Sequence, residues 1–182
     1  MTSIKNIFWN SDQARLRAMW RLIAQVVLLI AVLILTQVGV GTFVLGALLA
    51  GGGLSGEQLS DPQALQQLIM QDSRLVLVLQ LSLTVSITLS VWIAGRFLDR
   101  RPFADFGLHL NRSWWLDLGF GLAQGAALML IIFLVELAAG WVTVTDTFAT
   151  RQPEARFFPA ILPPLLTFLA VGFHEELFSR GY

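Results

Sequence analysis

The 182-residue chain contains no cysteine, which excludes disulfide bonds, cysteine-ligated zinc and a thiol nucleophile. Charge is also scarce: Asp, Glu, Lys and Arg make up 13% of the residues, against about 25% in soluble domains. Acidic and basic residues number 12 each, so no excess of charge favours nucleic acid as a partner. What the chain does have is 55% hydrophobic residues and a mean hydropathy of +0.69. This composition predicts a membrane protein with the lipid bilayer as its partner.

Four apolar segments are long enough to cross a bilayer as helices, for which about 20 residues suffice. They cover approximately residues 22–50, 75–98, 116–142 and 157–182. The predicted fold is all-α, a polytopic transmembrane helical bundle that forms one membrane domain. Residues 1–21 form a polar lead, and the apolar run after them is longer than the roughly 7–15 residues of a signal-peptide core. We therefore expect no cleavable signal peptide.

Basic residues are unevenly distributed between the connections. Eight lie before the first span or between the second and third, and three lie in the other two connections. The larger set is Lys5, Arg15, Arg17, Arg21, Arg96, Arg100, Arg101 and Arg112, and the smaller set is Arg74, Arg151 and Arg156. By the positive-inside rule, the N-terminus is cytoplasmic in a multi-pass protein of the inner or plasma membrane. Segment 1–21, where aromatic and basic residues interleave, is predicted to rest on the anionic inner surface.

Prolines predict two helix starts. In Asp61-Pro62 a good N-cap precedes a residue suited to the first helical position. A short helix should follow, either at the interface or as an extension of the second span. Pro163-Pro164 interrupts a helix that arrives from upstream, so the last helix is predicted to begin near Pro164. Glu175 then lies roughly 16 Å further along, at 1.5 Å per residue, at or below the middle of the membrane seen from outside.

An ionisable cluster in the last span comprises His174, Glu175, Glu176 and Arg180. Such residues persist within spans mostly where they pair, face a cavity or carry chemistry. Glu176 and Arg180 are i,i+4 neighbours and can pair, whereas Glu175 lies about 140° around the helix from Arg180. Glu176 is therefore the predicted partner of Arg180. Glu175 is left to face a cavity, where desolvation and a neighbouring carboxylate would suit it to act as a general base.

Each of these residues also has a purely structural interpretation. An ion pair near a helix end often only stabilises packing. Taken alone, His174 fits a packing or hydrogen-bonding residue better than a metal ligand. Glu136, in the third span, could be a lone functional acid, although its position towards the external end favours an interfacial residue.

The segment Glu175-Glu176-Leu177-Phe178-Ser179-Arg180 fits the pattern E-E-x-x-x-R. It resembles the first motif of the CPBP intramembrane proteases, the CAAX-protease and bacteriocin-processing (Abi) family, and Gly181 extends the likeness. Upstream, the R-P…F-G-L stretch of residues 101–108 and the W-x-D-L-x-x-G stretch of residues 115–121 are similar to segments that precede the motif in many bacterial members. The resemblance covers about residues 96–182.

This resemblance implies an intramembrane endopeptidase that cuts peptide or protein substrates, either prenylated CAAX proteins or leader peptides. Glu175 would activate the attacking water, held in place by Glu176 and Arg180. Family members carry two further motifs in later spans, F-x-x-x-H and H-x-x-x-N/D, and neither His109 nor His174 matches them. In the family, the histidines of those two later motifs either bind a divalent metal such as zinc or polarise the scissile carbonyl. We therefore expect the sequence as given to be the N-terminal part of a protease core, inactive alone.

Two other functions are consistent with the same residues. One is a non-enzymatic member of the family, acting in bacteriocin self-immunity or as a membrane scaffold. The other is a fragment of a transporter whose Glu–Arg cluster lines an ion path, in which case an inverted second half is expected.

Overall fold

The computed structural model describes residues 9–10, 15–54, 60–148 and 156–181. Five α-helices lie within these described ranges: α1 Ala18–Ala50, α2 Pro62–Gln71, α3 Ser73–Ala94, α4 Arg112–Ala138 and α5 Phe157–Gly181. A π-helical segment, Gly95–Asp99, continues α3, and a 3₁₀ turn covers Phe103–Phe106. Two short strands that the sequence did not predict, β1 Trp9–Asn10 and β2 Arg15–Leu16, pair antiparallel before α1.

The all-α prediction is confirmed, and so is the number of spans among the described residues. Four helical segments are long and apolar enough to cross a membrane: Ala18–Ala50, Ser73–Asp99, Arg112–Ala138 and Phe157–Ser179. Their most apolar stretches have mean hydropathies between 1.6 and 2.5. Each segment lies within a few residues of its predicted bounds. The chain is therefore a polytopic α-helical membrane protein.

Aspartates begin the helices around the first connection. Asp61 accepts a hydrogen bond from the backbone N–H of Gln63 at 2.9 Å, and Pro62 occupies the first position of α2. Asp72 then stands between α2 and α3 in an extended conformation and caps α3 through the N–H of Arg74 at 2.8 Å. Because Asp72 interrupts the helical backbone, α2 is a separate helix and not an extension of the second span.

The predicted start of the last helix near Pro164 is wrong. The helix α5 begins at Phe157 and carries both Pro163 and Pro164 in its interior. Neither proline can donate to the carbonyl one turn before it. Membrane helices tolerate this loss because side chains and neighbouring groups bond to the freed backbone. In α5, the carbonyls that lose their helical donor are those of Pro159 and Ala160, four residues before the two prolines.

The third span ends at Ala138, four residues before the predicted Val142. Gly140 adopts a positive φ of 73°, a conformation that glycine enters at little cost. This allows the N–H of Trp141 to turn back onto the carbonyl of Glu136 at 3.0 Å. The helix stops because a glycine terminates it, although the sequence stays apolar beyond that point.

The chain divides into two compact units, one of residues 1–107 with 161–182 and one of residues 108–160. In the first unit, the largest fully buried side chains are Val91, Ser86 and Ser90. By contrast, Leu35 and Phe43 are 74% and 76% exposed. Small polar side chains are thus buried between the helices while many large apolar side chains are exposed, as expected of helices that meet lipid tails.

Helices α1 and α3 are antiparallel and joined by a series of polar pairs. Gln37 donates to Ser82 at 3.0 Å, Thr36 shares a hydrogen bond with Ser86, and Gln25 donates to Ser90 at 3.5 Å. At the end of the series, Arg21 forms an ion pair with Asp99. The start of α1 and the end of α3 therefore lie at the same end of this unit, as the basic residues near both had predicted.

The apolar core of this unit is small. Ile87, Val91, Phe106 and Leu177 form one buried cluster, so it draws on α3, the 3₁₀ turn and α5. Gly107, which follows Phe106, has a φ of 91° and ends that turn. The stretch of residues 101–108 thus places an aromatic ring against the helix that carries the two glutamates.

The second unit contains α4 and the connection after it. Asn111 caps α4 by accepting from the N–H of Trp114 at 2.8 Å. Trp114 and Trp115 meet edge to face at 4.8 Å between ring centroids, at the end of the span where an aromatic belt is expected. Glu136 is half-buried in the last turn of α4, and its carbonyl accepts from the N–H of Trp141. This position at a helix end agrees with the interfacial interpretation of Glu136.

Candidate functional site

All four members of the ionisable cluster lie on α5, and the three whose side chains are described, His174, Glu175 and Glu176, divide between its two faces. The buried stripe of the helix consists of Ala170, His174 and Leu177, at 8%, 7% and 3% exposure. These positions are spaced four and three residues apart, so they form one face. His174 bonds to α3, and Leu177 packs in the cluster with Ile87 and Val91. The buried face of α5 is therefore the one turned to α3.

His174 is held by the polar side chains of α3. Its Nδ1 lies 3.1 Å from the hydroxyl oxygen of Thr84 and 3.5 Å from the amide nitrogen of Gln80. The same hydroxyl lies 2.9 Å from the carbonyl oxygen of Gln80 and 3.3 Å from that of Ala170. The interpretation of His174 as a hydrogen-bonding residue agrees with this geometry. The network joins α3 to α5 one residue before the glutamate pair.

Glu175 and Glu176 lie on the opposite face. At about 100° per residue, each glutamate is roughly 130° from the centre of the buried stripe, one in each direction. Both side chains are exposed in the described part of the chain. Within a membrane-spanning helix, two exposed carboxylates require water, a cavity or a polar partner, because lipid tails cannot solvate them.

The predicted ion pair of Glu176 with Arg180 falls partly outside the described residues. The backbone of Arg180 belongs to α5, but its side chain is not among those that the structure describes. The pairing therefore stays a prediction from helical spacing. The prediction that Glu175 faces a cavity also stays open, although its exposure shows that the described residues of its own unit leave that side of α5 uncovered.

A metal centre does not fit the described residues. Among them, no three His, Asp or Glu side chains come close enough together to hold an ion. Catalytic zinc usually takes three protein ligands, and the cluster on α5 turns its imidazole and its carboxylates to different faces. We therefore derive no chemical step through zinc from this arrangement.

The residues of α3 that hold His174 are the part of the site that sequence reasoning missed. Between residues 80 and 90, every second residue is polar: Gln80, Ser82, Thr84, Ser86, Thr88 and Ser90. On a helix this alternation produces two stripes of period four. The serine stripe meets α1, and the Gln80–Thr84 side meets α5. A period-four search within the apolar segment would have found both.

Comparison of the chain with protein-family models, curated proteins and solved structures gives no match. The class of protein, a polytopic α-helical membrane protein, rests on its four spanning helices. Its function must be argued from the chemistry of α5.

Proposed function

We propose that this chain is part of an intramembrane endopeptidase similar to the CPBP type, with Glu175 as the general base. The observation that carries the proposal is the placement of two adjacent carboxylates on the open face of a membrane-spanning helix. The opposite face of the same helix is fixed to α3 by His174 and Leu177. An ionised carboxylate within a membrane span costs free energy, and here it lies on a helix whose other face is fixed. A carboxylate held in this way is suited to act in catalysis.

The proposed reaction is hydrolysis of a peptide bond. Glu175 removes a proton from water, and the water oxygen forms a bond to the carbonyl carbon of the substrate. The tetrahedral intermediate then collapses, the C–N bond breaks, and the proton held by Glu175 passes to the leaving amine. Glu176 pairs with Arg180 and keeps the helix and its base in position. General-base catalysis of this kind typically contributes about 10²–10⁴-fold in rate.

The substrate class follows from the location of the base. A carboxylate within a membrane-spanning helix can reach only bonds that enter the membrane, so we propose membrane-anchored prenylated CAAX proteins or leader peptides as substrates. By the positive-inside rule, the distribution of basic residues favours a cytoplasmic N-terminus in an inner or plasma membrane. The end of α5 that carries Glu175 then faces the cytoplasmic side, where such substrates are made.

The test uses the protein as its gene encodes it, in lipid nanodiscs, with two probes. These are a farnesylated peptide that ends in a CAAX sequence and a leader-containing peptide, with products identified by mass spectrometry. Glu175→Gln keeps the shape of the side chain but removes the base, so cleavage should fall by about 10²–10⁴-fold. Glu136→Gln is the matched control, because it removes a carboxylate near the end of α4. It should cleave like the parent.

The outcomes separate the proposed function from its rivals. Retained cleavage by Glu175→Gln would show that another group is the base. Absence of cleavage of both peptides by a folded parent would favour the scaffold or self-immunity alternative. Ion flux through the parent in sealed vesicles, lost in Glu175→Gln, would favour the transporter.

A further inference from the structure

A groove runs along the first half of α1, within the first unit of the chain. It is lined by Leu16 of β2 and by hydrophobic residues on one face of α1, from Trp20 to Ala31, and it encloses about 520 Å³. We call it the α1 groove. Its lining residues belong neither to the polar pairs between α1 and α3 nor to the ionisable cluster on α5, so the proposed peptidase site does not account for it.

Two small side chains, Ala24 and Ala31, lie two turns apart in the α1 groove. At about 100° per residue, the lining residues of α1 are centred roughly 140° around the helix from Gln25 and Thr36, which bond to α3. The groove therefore opens on a side of α1 that α3 does not cover. Val27, in its middle, is 61% exposed, so the described residues of its own unit leave the groove uncovered.

The length of the α1 groove favours a lipid tail over a protein helix as its occupant. From Trp20 to Ala31 the helix rises by roughly 16 Å, at 1.5 Å per residue. This is about half of the hydrocarbon core, which is roughly 30 Å thick, and so it is the depth of one leaflet. A helix that crosses the membrane continues into the other leaflet, whereas an acyl chain ends near the middle. Trp20 stands at the interfacial end, where tryptophan is enriched.

The charge at the mouth of the α1 groove favours an anionic headgroup. Arg17 follows the lining residue Leu16 directly, and its side chain is exposed. In the part of the chain that the structure describes, Arg17 forms no ion pair. The first turn of α1 contains no acidic residue, and Asp99, at the same end of the unit, is already paired with Arg21. A guanidinium binds a phosphate through two parallel hydrogen bonds.

We propose that the α1 groove binds one anionic phospholipid, with an acyl chain along Ala24 and Ala31 and the phosphate paired with Arg17. By the positive-inside rule the leaflet concerned is the cytoplasmic one, which carries the anionic lipids. The lipid holds the start of α1 at the membrane surface. This inference is independent of the proposed peptidase activity, because none of its residues belongs to the site on α5.

The first test measures which lipid the protein retains. The protein as its gene encodes it is placed in nanodiscs of phosphatidylcholine and phosphatidylglycerol in equal amounts, then released into detergent and examined by native mass spectrometry. We expect one phosphatidylglycerol to be retained in preference to phosphatidylcholine. Arg17→Gln should lower that preference about fivefold, which is what one basic residue at the surface contributes to binding of anionic lipid. Equal retention of the two lipids by the parent would overturn the proposal.

Arg96→Gln is the matched control for charge. Arg96 is exposed in the π-helical segment that continues α3, at the same end of the unit, but it does not line the groove. It should keep the preference of the parent. An equal loss in Arg17→Gln and Arg96→Gln would show that the lipid responds to overall charge and not to a site, which would overturn the proposal.

A second pair of variants tests the groove without changing any charge. Ala24→Leu and Ala31→Leu each fill it with a larger side chain, so retained phosphatidylglycerol should fall at least as far as in Arg17→Gln. Ala47→Leu, at an exposed position of α1 outside the groove, is the control and should match the parent. Ala31 is itself exposed, so Ala31→Leu keeps the test decisive if the half-buried Ala24→Leu fails to fold. Unchanged retention in folded Ala31→Leu would overturn the proposal.

A last variant tests a second copy of the chain as the occupant. Because the native sequence has no cysteine, Ala31→Cys carries a single thiol inside the groove. Under oxidising conditions in bilayers that contain phosphatidylglycerol, it should stay monomeric on a non-reducing gel, since an acyl chain covers the thiol. Near-complete conversion to a disulfide-linked dimer would show that the groove faces another copy, and the lipid site would then be wrong.

Discussion

The ring of Phe106 occupies the space that a side chain at Gly95 would need. A Cβ atom built at Gly95 would lie 2.5 Å from Cε2 and 2.7 Å from Cζ of that ring. Real Cβ atoms do not approach so closely, so the contact depends on the absence of a side chain. Through it, the loop after α3 is fixed beside Leu177, one residue after the glutamate pair.

Replacement of Gly95 by alanine should therefore destabilise the protein. Overpacking of a well-packed core typically costs about 1–3 kcal/mol, and the ring cannot move easily because Phe106 is only 7% exposed. Thermal unfolding in detergent micelles measures the effect. Gly41→Ala is the matched control, since a Cβ there meets nothing within 4 Å and alanine in a helix interior is favoured over glycine by roughly 0.5–1 kcal/mol. Equal melting temperatures for the two variants would contradict the close approach of Phe106.

The ion pair of Arg21 with Asp99 gives a second prediction. Their side chains are only 15% and 11% exposed, so Asp99→Asn leaves a largely buried cation without its counter-charge. Loss of one partner of a buried pair costs about 3–5 kcal/mol, and the remaining exposure puts the expected loss at the low end. The double variant Arg21→Met, Asp99→Asn should recover part of it, because no unpaired charge remains.

The control for the ion pair is Asp117→Asn, a change of the same chemistry at an exposed position of α4. It should leave the melting temperature within one or two degrees of the parent, since exposed substitutions usually cost less than about 0.5 kcal/mol. A double variant as unstable as Asp99→Asn alone would show that packing, and not charge, is what Asp99 contributes.

The spans could be predicted from the sequence because hydropathy is a local property, and each apolar run became a helix. The Asp61 cap was also local and was predicted. The start of α5 was not, since the local penalty of Pro163 and Pro164 is outweighed by the need of a membrane segment to stay helical. Gly140 shows the reverse case, in which one residue ends a helix that composition would have continued.

Within the site, helical spacing separated Glu175 from Glu176, but it could not say which face of α5 is buried. That depends on Thr84 and Leu177, which meet partners far away in the sequence. His174 was weighed as an isolated imidazole because nothing in its own segment reveals the hydroxyl that binds it. The contact of Phe106 with Gly95 is non-local in the same sense.

Membrane orientation supplies a third prediction, and the lack of cysteine makes it easy to test. Single cysteines placed at Ala104 and Gln66, both exposed, should react differently with a thiol reagent that cannot cross membranes. In intact cells Gln66→Cys, on α2, should be labelled from outside. Ala104→Cys should be labelled only after the membrane is opened, because its loop is rich in arginine. Labelling of Ala104→Cys in intact cells would reverse the orientation.

The two polar stripes of α3 also bear on how the chain is assembled in the cell. The ribosome makes α1 before α3, and α5 after it. The serine stripe can therefore bond to α1 as soon as α3 is made, whereas the stripe of Gln80, Thr84 and Thr88 has no partner helix until α5 is made. During that wait the hydroxyls of Thr84 and Thr88 are already satisfied by carbonyls of their own helix, at 2.9 and 2.7 Å. These two hydroxyls can therefore face lipid at little cost while the nascent helix leaves the translocon. When α5 is made, the same surface of α3 binds His174.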